Sequence, residues 1–150
     1  MKETKNDLDP VTQYANDVKA GKIPACRWVK LACERHLKLL KTAKKKGYTW
    51  DVRAAKRAIN FFPFLRHLKG EWEGCPFNLE PWQQFIVGYI FGWKNAEGFR
   101  VVRTAYIEIP RKNGKTTLAA GLSLLLLVGD DEPGAEVFCA ATKREQACYV

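Results

Sequence analysis

The chain has 150 residues, 47% of them hydrophobic, and a formal net charge of +9 at pH 7. That length and apolar content suffice for one ordinary domain, and a second complete domain is not expected. No run of about 18 uncharged apolar residues occurs, and the start MKETKNDLDP lacks the apolar stretch of a secretion signal. The sequence therefore argues against a membrane-spanning or secreted protein, and we expect a cytoplasmic one.

The charge divides the sequence near residue 70. Residues 1–70 contain 17 Lys and Arg against 6 Asp and Glu, whereas residues 71–150 contain 8 against 10. A basic region attracts phosphate backbones without sequence preference, although a solvated surface explains the same composition. We predict a basic helical N-terminal subdomain over residues 1–70 and a second region over residues 71–150.

Helix signals begin the basic region. Asp9 and Pro10 form an N-cap and first-turn pair ahead of VTQYANDVKA, and Gly21 ends that helix. Pro24 opens a second helix, which runs to a lysine cluster consisting of Lys44, Lys45 and Lys46. Cations at that end suit the helix dipole, and the cluster is also a candidate DNA contact.

Apolar spacing predicts which face of each helix is buried. In the second helix the predicted buried stripe consists of Trp28, Leu31, Ala32, Leu39 and Leu40. A third helix is predicted to start near Thr49 or Asp51 and to stop at Pro63. Its predicted apolar face consists of Val52, Ala55, Ile59 and Phe62.

The five cysteines are odd in number and form no CxxC pair; they are Cys26, Cys33, Cys75, Cys139 and Cys148. We predict reduced, mostly buried thiols. Cys33 and His36 have the spacing to share one helix face, but no second pair stands at metal-ligand spacing, so no metal centre is expected there.

After a connector rich in glycine and proline, the sequence changes from basic helices to strongly apolar and strand-like segments. WQQFIVGYIFGW has the length of a buried helix, RVVRTAYIEI at residues 100–109 has strand composition, and TTLAAGLSLLLLV is an apolar helix. The segment EIPRKNGKTT therefore lies between a predicted strand and a predicted helix. Backbone N–H groups at such a helix N-terminus face phosphates in phosphate-binding loops.

Gly114, Lys115 and Thr116 match the end of the Walker A phosphate loop. In that loop the Lys reaches the outer phosphates and the hydroxyl binds Mg²⁺. The strict motif requires a further glycine where this chain has Ile109, so a strict scan rejects it. The alternative to a phosphate-binding loop is a tight turn whose basic side chains are simply solvated.

Several segments together resemble the N-terminal part of the large terminase subunit of tailed bacteriophages and prophages: RAINFFPFLRHLKGEW, NLEPWQQFIVGYIFGW, RTAYIEIPRKNGKTTLAAG and EPGAEVFCAATKREQA. The resemblance spans roughly residues 10–150 and implies an α/β P-loop NTPase sheet of the RecA/ASCE-like kind, incomplete here. It also implies an ATPase, with ATP and Mg²⁺ as ligands, that drives double-stranded DNA into a capsid, in a protein that also cuts DNA as an endonuclease.

The resemblance carries site roles onto individual positions. The family's variant phosphate loop, in which a missing first glycine is usual, falls on Pro110, Arg111, Lys112, Asn113, Gly114, Lys115, Thr116 and Thr117. Arg111 matches the arginine that contacts the γ-phosphate, so Arg111 and Lys115 are the predicted catalytic residues and Thr116 the Mg²⁺ ligand. In LEPWQ, Gln83 matches the adenine-reading glutamine, with Gln84 as an open alternative.

Two downstream segments complete the expectations. AEVFCAAT is a predicted second strand, and Lys143 and Arg144 after it are candidate DNA contacts, or plain surface. LLLLVGDDE resembles the Walker B strand that ends in catalytic acids, but it lies within the helix after the phosphate loop and ends in turn composition. We therefore do not assign Walker B there.

The resemblance implies that the Walker B acids and the nuclease domain belong beyond residue 150, so the chain is expected to be a fragment or a truncated gene. It further implies a portal protein, a small terminase subunit and a homo-oligomeric ring on the capsid as partners, in the cytoplasm of a bacterial host. Two alternatives stay open: a related P-loop nucleic-acid translocase or helicase, and a non-enzymatic DNA-binding prophage remnant.

Overall fold

The structure is a computed structural model that describes residues 9–68, 70–130 and 133–141. Local sequence signals set most helix boundaries. Helix α1 spans Pro10–Lys19, and the carboxylate of its N-cap, Asp9, accepts hydrogen bonds from the backbone N–H groups of Val11 and Thr12. Gly21 follows with a φ of 76°. The predicted cap, first turn and stop of this helix are confirmed.

Helix α2 spans Arg27–Thr42 and is followed by a 3₁₀ turn, Ala43–Lys46, that carries the exposed lysine cluster. The predicted buried stripe of α2 is wrong. Trp28 is 73% exposed and Leu31 44%, whereas Cys33 and His36 are buried. The buried face is the one that α1 covers, and hydropathy alone does not identify a histidine as its centre.

Helix α3 spans Val52–Phe61, and a 3₁₀ turn, Phe62–Phe64, contains the proline predicted to stop it. Ala55, Ile59 and Phe62 are buried, as predicted for that face. Helix α4 spans Pro81–Gly92 and confirms the predicted buried helix. Between them, residues 70–80 form turns, an isolated bridge at Pro76 and irregular backbone, in agreement with the predicted connector.

Two short strands, one before α3 and one after α4, pair with each other. Strand β1, Thr49–Trp50, pairs antiparallel with β2, Trp93–Lys94, and the register places Trp50 opposite Trp93. The predicted strand over residues 100–109 is not confirmed. Arg100 forms an isolated bridge with Lys94, and the N–H of Val101 donates to the Trp93 carbonyl at 2.9 Å, but residues 102–110 form no strand ladder with any residue that the structure describes. The predicted second strand, AEVFCAAT, is not confirmed either, since its residues 135–141 form no ladder with the residues that the structure describes, and a strand needs a neighbouring strand to supply hydrogen bonds.

The final described helix, α5, spans Lys115–Leu124 and continues into a π-helical turn, Leu125–Gly129. This confirms the predicted helix after the loop. It also confirms that the apolar run ahead of Asp130 is helical rather than a Walker B strand. Asp131 and Glu132 lie outside the described residues.

The chain forms two compact units. The first consists of Met1–Ile59 and Leu79–Ala105 and contains α1, α2, α4, the β1–β2 pair and most of α3. The second consists of Asn60–Asn78 and Tyr106–Val150 and contains α5. These units follow packing contacts, whereas the division near residue 70 follows charge, and that division stays a prediction.

The exposure of the cysteines contradicts one prediction. Cys33 is buried, and burial raises the pKa of its thiol to about 11. Cys26, Cys75 and Cys139 are exposed, so the prediction of mostly buried thiols is wrong, and Cys148 lies outside the described residues.

Within the described ranges no helix is long and apolar enough to cross a membrane, and no group of His, Cys, Asp and Glu is arranged to hold a metal ion.

Candidate nucleotide-binding site

The loop before α5 has a backbone that concentrates N–H groups. Lys112 and Gly114 both adopt left-handed conformations, with φ values of 67° and 69°. Alternation of right- and left-handed residues turns successive N–H groups toward one concave side, which forms a nest for anions. A left-handed conformation is unfavourable for lysine, and such strain is concentrated at functional sites.

The start of α5 leaves its first donors available. Gly114 is the N-cap and has no side chain to accept a bond, and the first helical hydrogen bond runs from Leu118 N–H to the Gly114 carbonyl at 2.9 Å. The N–H groups of Lys115, Thr116 and Thr117 therefore have no intrahelical acceptor. Together with the positive end of the helix dipole they provide a site for phosphate oxygens.

Asn113 holds the loop in shape. Its side-chain Nδ2 donates to the carbonyl of Arg111 at 3.1 Å and to that of Pro110 at 3.4 Å. Sequence analysis placed Asn113 in the loop without a role of its own, and the structure adds this one. The signal was available, because short amide side chains often bond to a backbone group two or three residues away in turns.

The charged side chains of the loop are basic and exposed to solvent. Arg111, Lys112 and Lys115 are all exposed, and none of them forms an ion pair with any residue that the structure describes. Thr116 and Thr117 are exposed in the same turn. The loop thus combines three cations, two hydroxyls and several unpaired N–H groups, which is a donor set suited to a polyphosphate with Mg²⁺.

Packing fixes the base of the loop within its own unit. Leu118, Gly121 and Leu125 are the buried residues of α5 and its continuation, at spacings of one and two helical turns. A Cβ at Gly121 would overlap the ring of Phe62, so glycine here permits the close approach of α5 to that ring. The helix is therefore held by its apolar stripe while its N-terminal turn is open.

The glutamines at the start of α4 have a different environment, and they belong to the other unit. Gln83 is 4% exposed, and its Oε1 accepts the backbone N–H of Glu80 at 2.8 Å. The Glu80 side chain in turn accepts the backbone N–H of Gln83, which completes a capping box. Gln84 donates from Nε2 to the Leu79 carbonyl at 2.8 Å.

Glu80 has a capping role that was not predicted from the sequence. The signal for it was the spacing in EPWQ, with an acceptor at the N-cap, Pro at the first helical position and Gln three residues after the cap. Of the other predicted site residues, Lys143 and Arg144 lie outside the described residues. The lysine cluster is exposed on its 3₁₀ turn and belongs to the first unit.

The segment that contains this loop resembles a known protein family. Residues 81–150 match a family model described as the terminase large subunit, ATPase domain. The terminase resemblance is confirmed. The match covers both the α4 glutamines and the phosphate-binding candidate, and the terminase ATPase domain implies a P-loop NTPase-like fold and an ATPase role in a packaging motor. Neither a curated protein nor a solved structure shows a significant match to the chain.

Proposed function

We propose that this chain is the ATP-binding part of a phage terminase large subunit, in which ATP hydrolysis drives double-stranded DNA into proheads. The observation that carries the proposal is the strained, basic loop at the open N-terminus of α5, within residues that match the terminase ATPase domain. A solvated turn has no need of a left-handed lysine, whereas a phosphate cradle uses that geometry.

The proposed roles follow from the donor set of the loop. The N–H groups of Thr116 and Thr117 and the Lys115 ammonium bind phosphate oxygens, and the Thr116 hydroxyl is the Mg²⁺ ligand. Arg111 contacts the γ-phosphate, where its charge stabilises the transition state. Mg²⁺ supplies neutralisation of phosphate charge when it is bound.

The remaining elements of the proposal rest on the terminase resemblance. The parent protein also cuts DNA, assembles as a ring on the capsid, and works with a portal protein and a small terminase subunit. Gln83 reads the adenine base. The exposed lysine cluster, Lys143 and Arg144 contact the DNA backbone, where cations bind phosphates independently of sequence.

Nucleotide binding tests the proposal most directly. Lys115→Ala should weaken binding of Mg-ATP by roughly tenfold or more, because a charge-assisted contact to phosphate is lost. Isothermal titration calorimetry on the whole chain measures this affinity. Lys19→Ala is the matched control, since Lys19 is an exposed lysine at the opposite end of a helix in the other unit. Equal ATP affinity in the two variants would refute the phosphate-loop assignment.

A further inference from the structure

The solvent-exposed side of α2 carries two large apolar side chains that the core does not use. Trp28 is 73% exposed and Leu31 is 44% exposed. They are three positions apart in the helix, so they are neighbours on its surface. Single exposed apolar side chains are common in folded proteins, whereas an adjacent pair that includes a tryptophan is typical of a recognition surface. This pair is therefore a candidate contact for a partner.

The charged side chains around this pair are almost all basic. The sequence of α2 contains one acid, Glu34, and five cations, all of which are exposed: Arg27, Lys30, Arg35, Lys38 and Lys41. None of the five cations forms an ion pair with a residue that the structure describes. They extend along the helix over about 21 Å. A partner that matches the charge of this surface, which we call the outer face of α2, is a polyanion.

The outer face also presents a planar ring beside a fixed cation. The Arg27 guanidinium lies over the Trp28 ring, 5.5 Å from its centroid. Two helical turns after Trp28, the Arg35 guanidinium is held over the Tyr89 ring of α4 at 5.3 Å. Because most of the Trp28 ring is exposed, a second planar group has room to stack on it. Aromatic rings among cations are the features on which proteins stack the bases of single strands.

We propose that the outer face of α2 binds single-stranded DNA, with a base stacked on Trp28 and the phosphates bound by the surrounding cations. A protein partner is the less suitable occupant, because the centres of protein interfaces contain few charged residues. The choice of DNA over RNA rests on the proposed function, which acts on DNA. Stacking goes beyond that function because it requires unpaired bases, whereas the phosphate contacts proposed for the lysine cluster do not.

Trp28→Leu tests the stacking contact, because it removes the aromatic ring and keeps an apolar side chain. Affinity for a labelled oligothymidylate, measured by fluorescence anisotropy on the whole chain, should fall about tenfold. Affinity for an abasic strand of the same length, and for a duplex, should not change, since neither offers an unpaired base. Trp28→Phe keeps a ring and should restore most of the affinity. The thermal midpoint should stay unchanged in both variants, because the substituted side chain is largely exposed.

Trp72 provides a matched control for the loss of an exposed tryptophan. It is 63% exposed but lies in the second unit, between Glu71 and Glu73, so Trp72→Leu should bind oligothymidylate like the wild-type chain. Lys38→Ala should weaken binding of oligothymidylate and of the abasic strand alike, and lower the salt dependence of both, because it removes a phosphate contact only.

Three results would contradict the proposal. Equal oligothymidylate affinity in Trp28→Leu and the wild-type chain would overturn it and leave the nucleotide-binding function unaffected; an acidic protein as the partner of this face would give that result. An equal loss in Trp28→Leu and Trp72→Leu would overturn it too, since the outer face would then have no special part. A wild-type chain that binds neither the single strand nor the duplex would overturn it together with the proposed DNA contacts.

Discussion

His36 shows how a single buried residue joins distant parts of the chain. The indole N–H of Trp93 donates to its Nδ1 at 3.3 Å, so Nδ1 has no proton, and Nε2 carries it toward the Thr12 hydroxyl at 3.1 Å. That hydroxyl donates to Asp9 at 2.7 Å, and the Trp50 indole also donates to Asp9. The helix cap, α2 and both strands thus share one ordered chain of hydrogen bonds.

The pKa of His36 makes this network sensitive to acid. Burial lowers the pKa to about 4 from an ordinary 6.5, against the opposing effect of Asp9. The unfolded chain therefore binds more protons between these values, and stability should fall as pH drops from about 6.5 to about 4, by on the order of 3 kcal/mol at most. Urea denaturation at a series of pH values measures the free energy of unfolding.

Two variants separate His36 from other titrating groups. His36→Gln keeps a donor and an acceptor but does not titrate, so its unfolding free energy should vary less with pH in this window. The chain contains one other histidine, His67, and His67→Gln should retain the wild-type pH dependence. An unaltered slope in His36→Gln would assign the acid sensitivity to carboxylates instead.

The sequence could not reveal this residue's role. It placed Cys33 and His36 on one helix face correctly, but the partner Trp93 is 57 positions away in the chain. A lone histidine at helical spacing does not specify whether its partners are metal, hydroxyl or indole. The site of greatest burial in α2 was therefore missed, and exposed Trp28 was placed there instead.

At the scale of elements, α4 depends on two glycines that allow close packing. A Cβ at Gly88 would overlap Val11 of α1, and one at Gly92 would overlap the ring of Trp50. Gly88 and Gly92 are one helical turn apart, so they form one small-residue face. Helix propensity favours Ala over Gly by about 1 kcal/mol, so retention of glycine indicates that packing decides at these positions.

Gly88→Ala should therefore destabilise the chain despite its better helix propensity, by roughly 1–3 kcal/mol as in other overpacked cores. Thermal or urea denaturation provides the measurement. Val11→Ala removes the side chain that the new methyl group would meet, so the double variant should recover part of the loss relative to the sum of the single changes. Strict additivity would show that the cost arises elsewhere in the helix.

Helix ends were easier to predict than helix faces or strands. The pair Asp9–Pro10 acts through bonds within a few residues, and α1 begins where that pair indicates. Glu80 and Pro81 begin α4 in the same way, although that pair was not used for a prediction. Strand pairing depends on segments that are far apart. The predicted strand over residues 100–109 has the right composition, but in the described part of the chain only its first two residues contact β2. The candidate phosphate loop could be proposed from the sequence because its residue types are local to one turn.

At the scale of the whole molecule, charge is the property that suggests a partner. The exposed lysine cluster lies beyond the end of α2, and Gly47 follows it in a left-handed conformation. If it contacts DNA, Lys44→Glu with Lys45→Glu should weaken binding to duplexes of unrelated sequence and reduce its dependence on salt. Fluorescence anisotropy between about 50 and 200 mM salt measures both quantities.

A matched reversal outside the basic region provides the control. Lys94→Glu with Arg103→Glu changes the net charge equally but lies beyond residue 70. DNA affinity and salt slope should fall less in this variant than in the cluster variant. An equal loss in both would indicate that overall charge, rather than the lysine cluster, determines DNA binding.

Catalytic turnover provides a further prediction. The apolar run before Asp130 continues the helix of the phosphate loop, so Asp131 and Glu132 are not expected to act as Walker B acids. Replacing them by Asn and Gln should leave Mg-ATP affinity unchanged, and a phosphate-release assay should detect negligible turnover in the 150-residue chain. Steady turnover that disappears in this double variant would show that these residues are the catalytic acids.

In the proposed phosphate loop, the left-handed residues do not include the position at which the strict motif requires its first glycine. Among the described non-glycine residues, only Lys112 has a positive φ, so Ile109 occupies a conformation open to any side chain. The left-handed positions of this loop are 112 and 114, and Gly114 is already a glycine of the strict motif. A profile that rewards Gly, Asn or a tolerated Lys at those two positions, and is indifferent at 109, would retrieve distant chains that a letter-by-letter pattern discards.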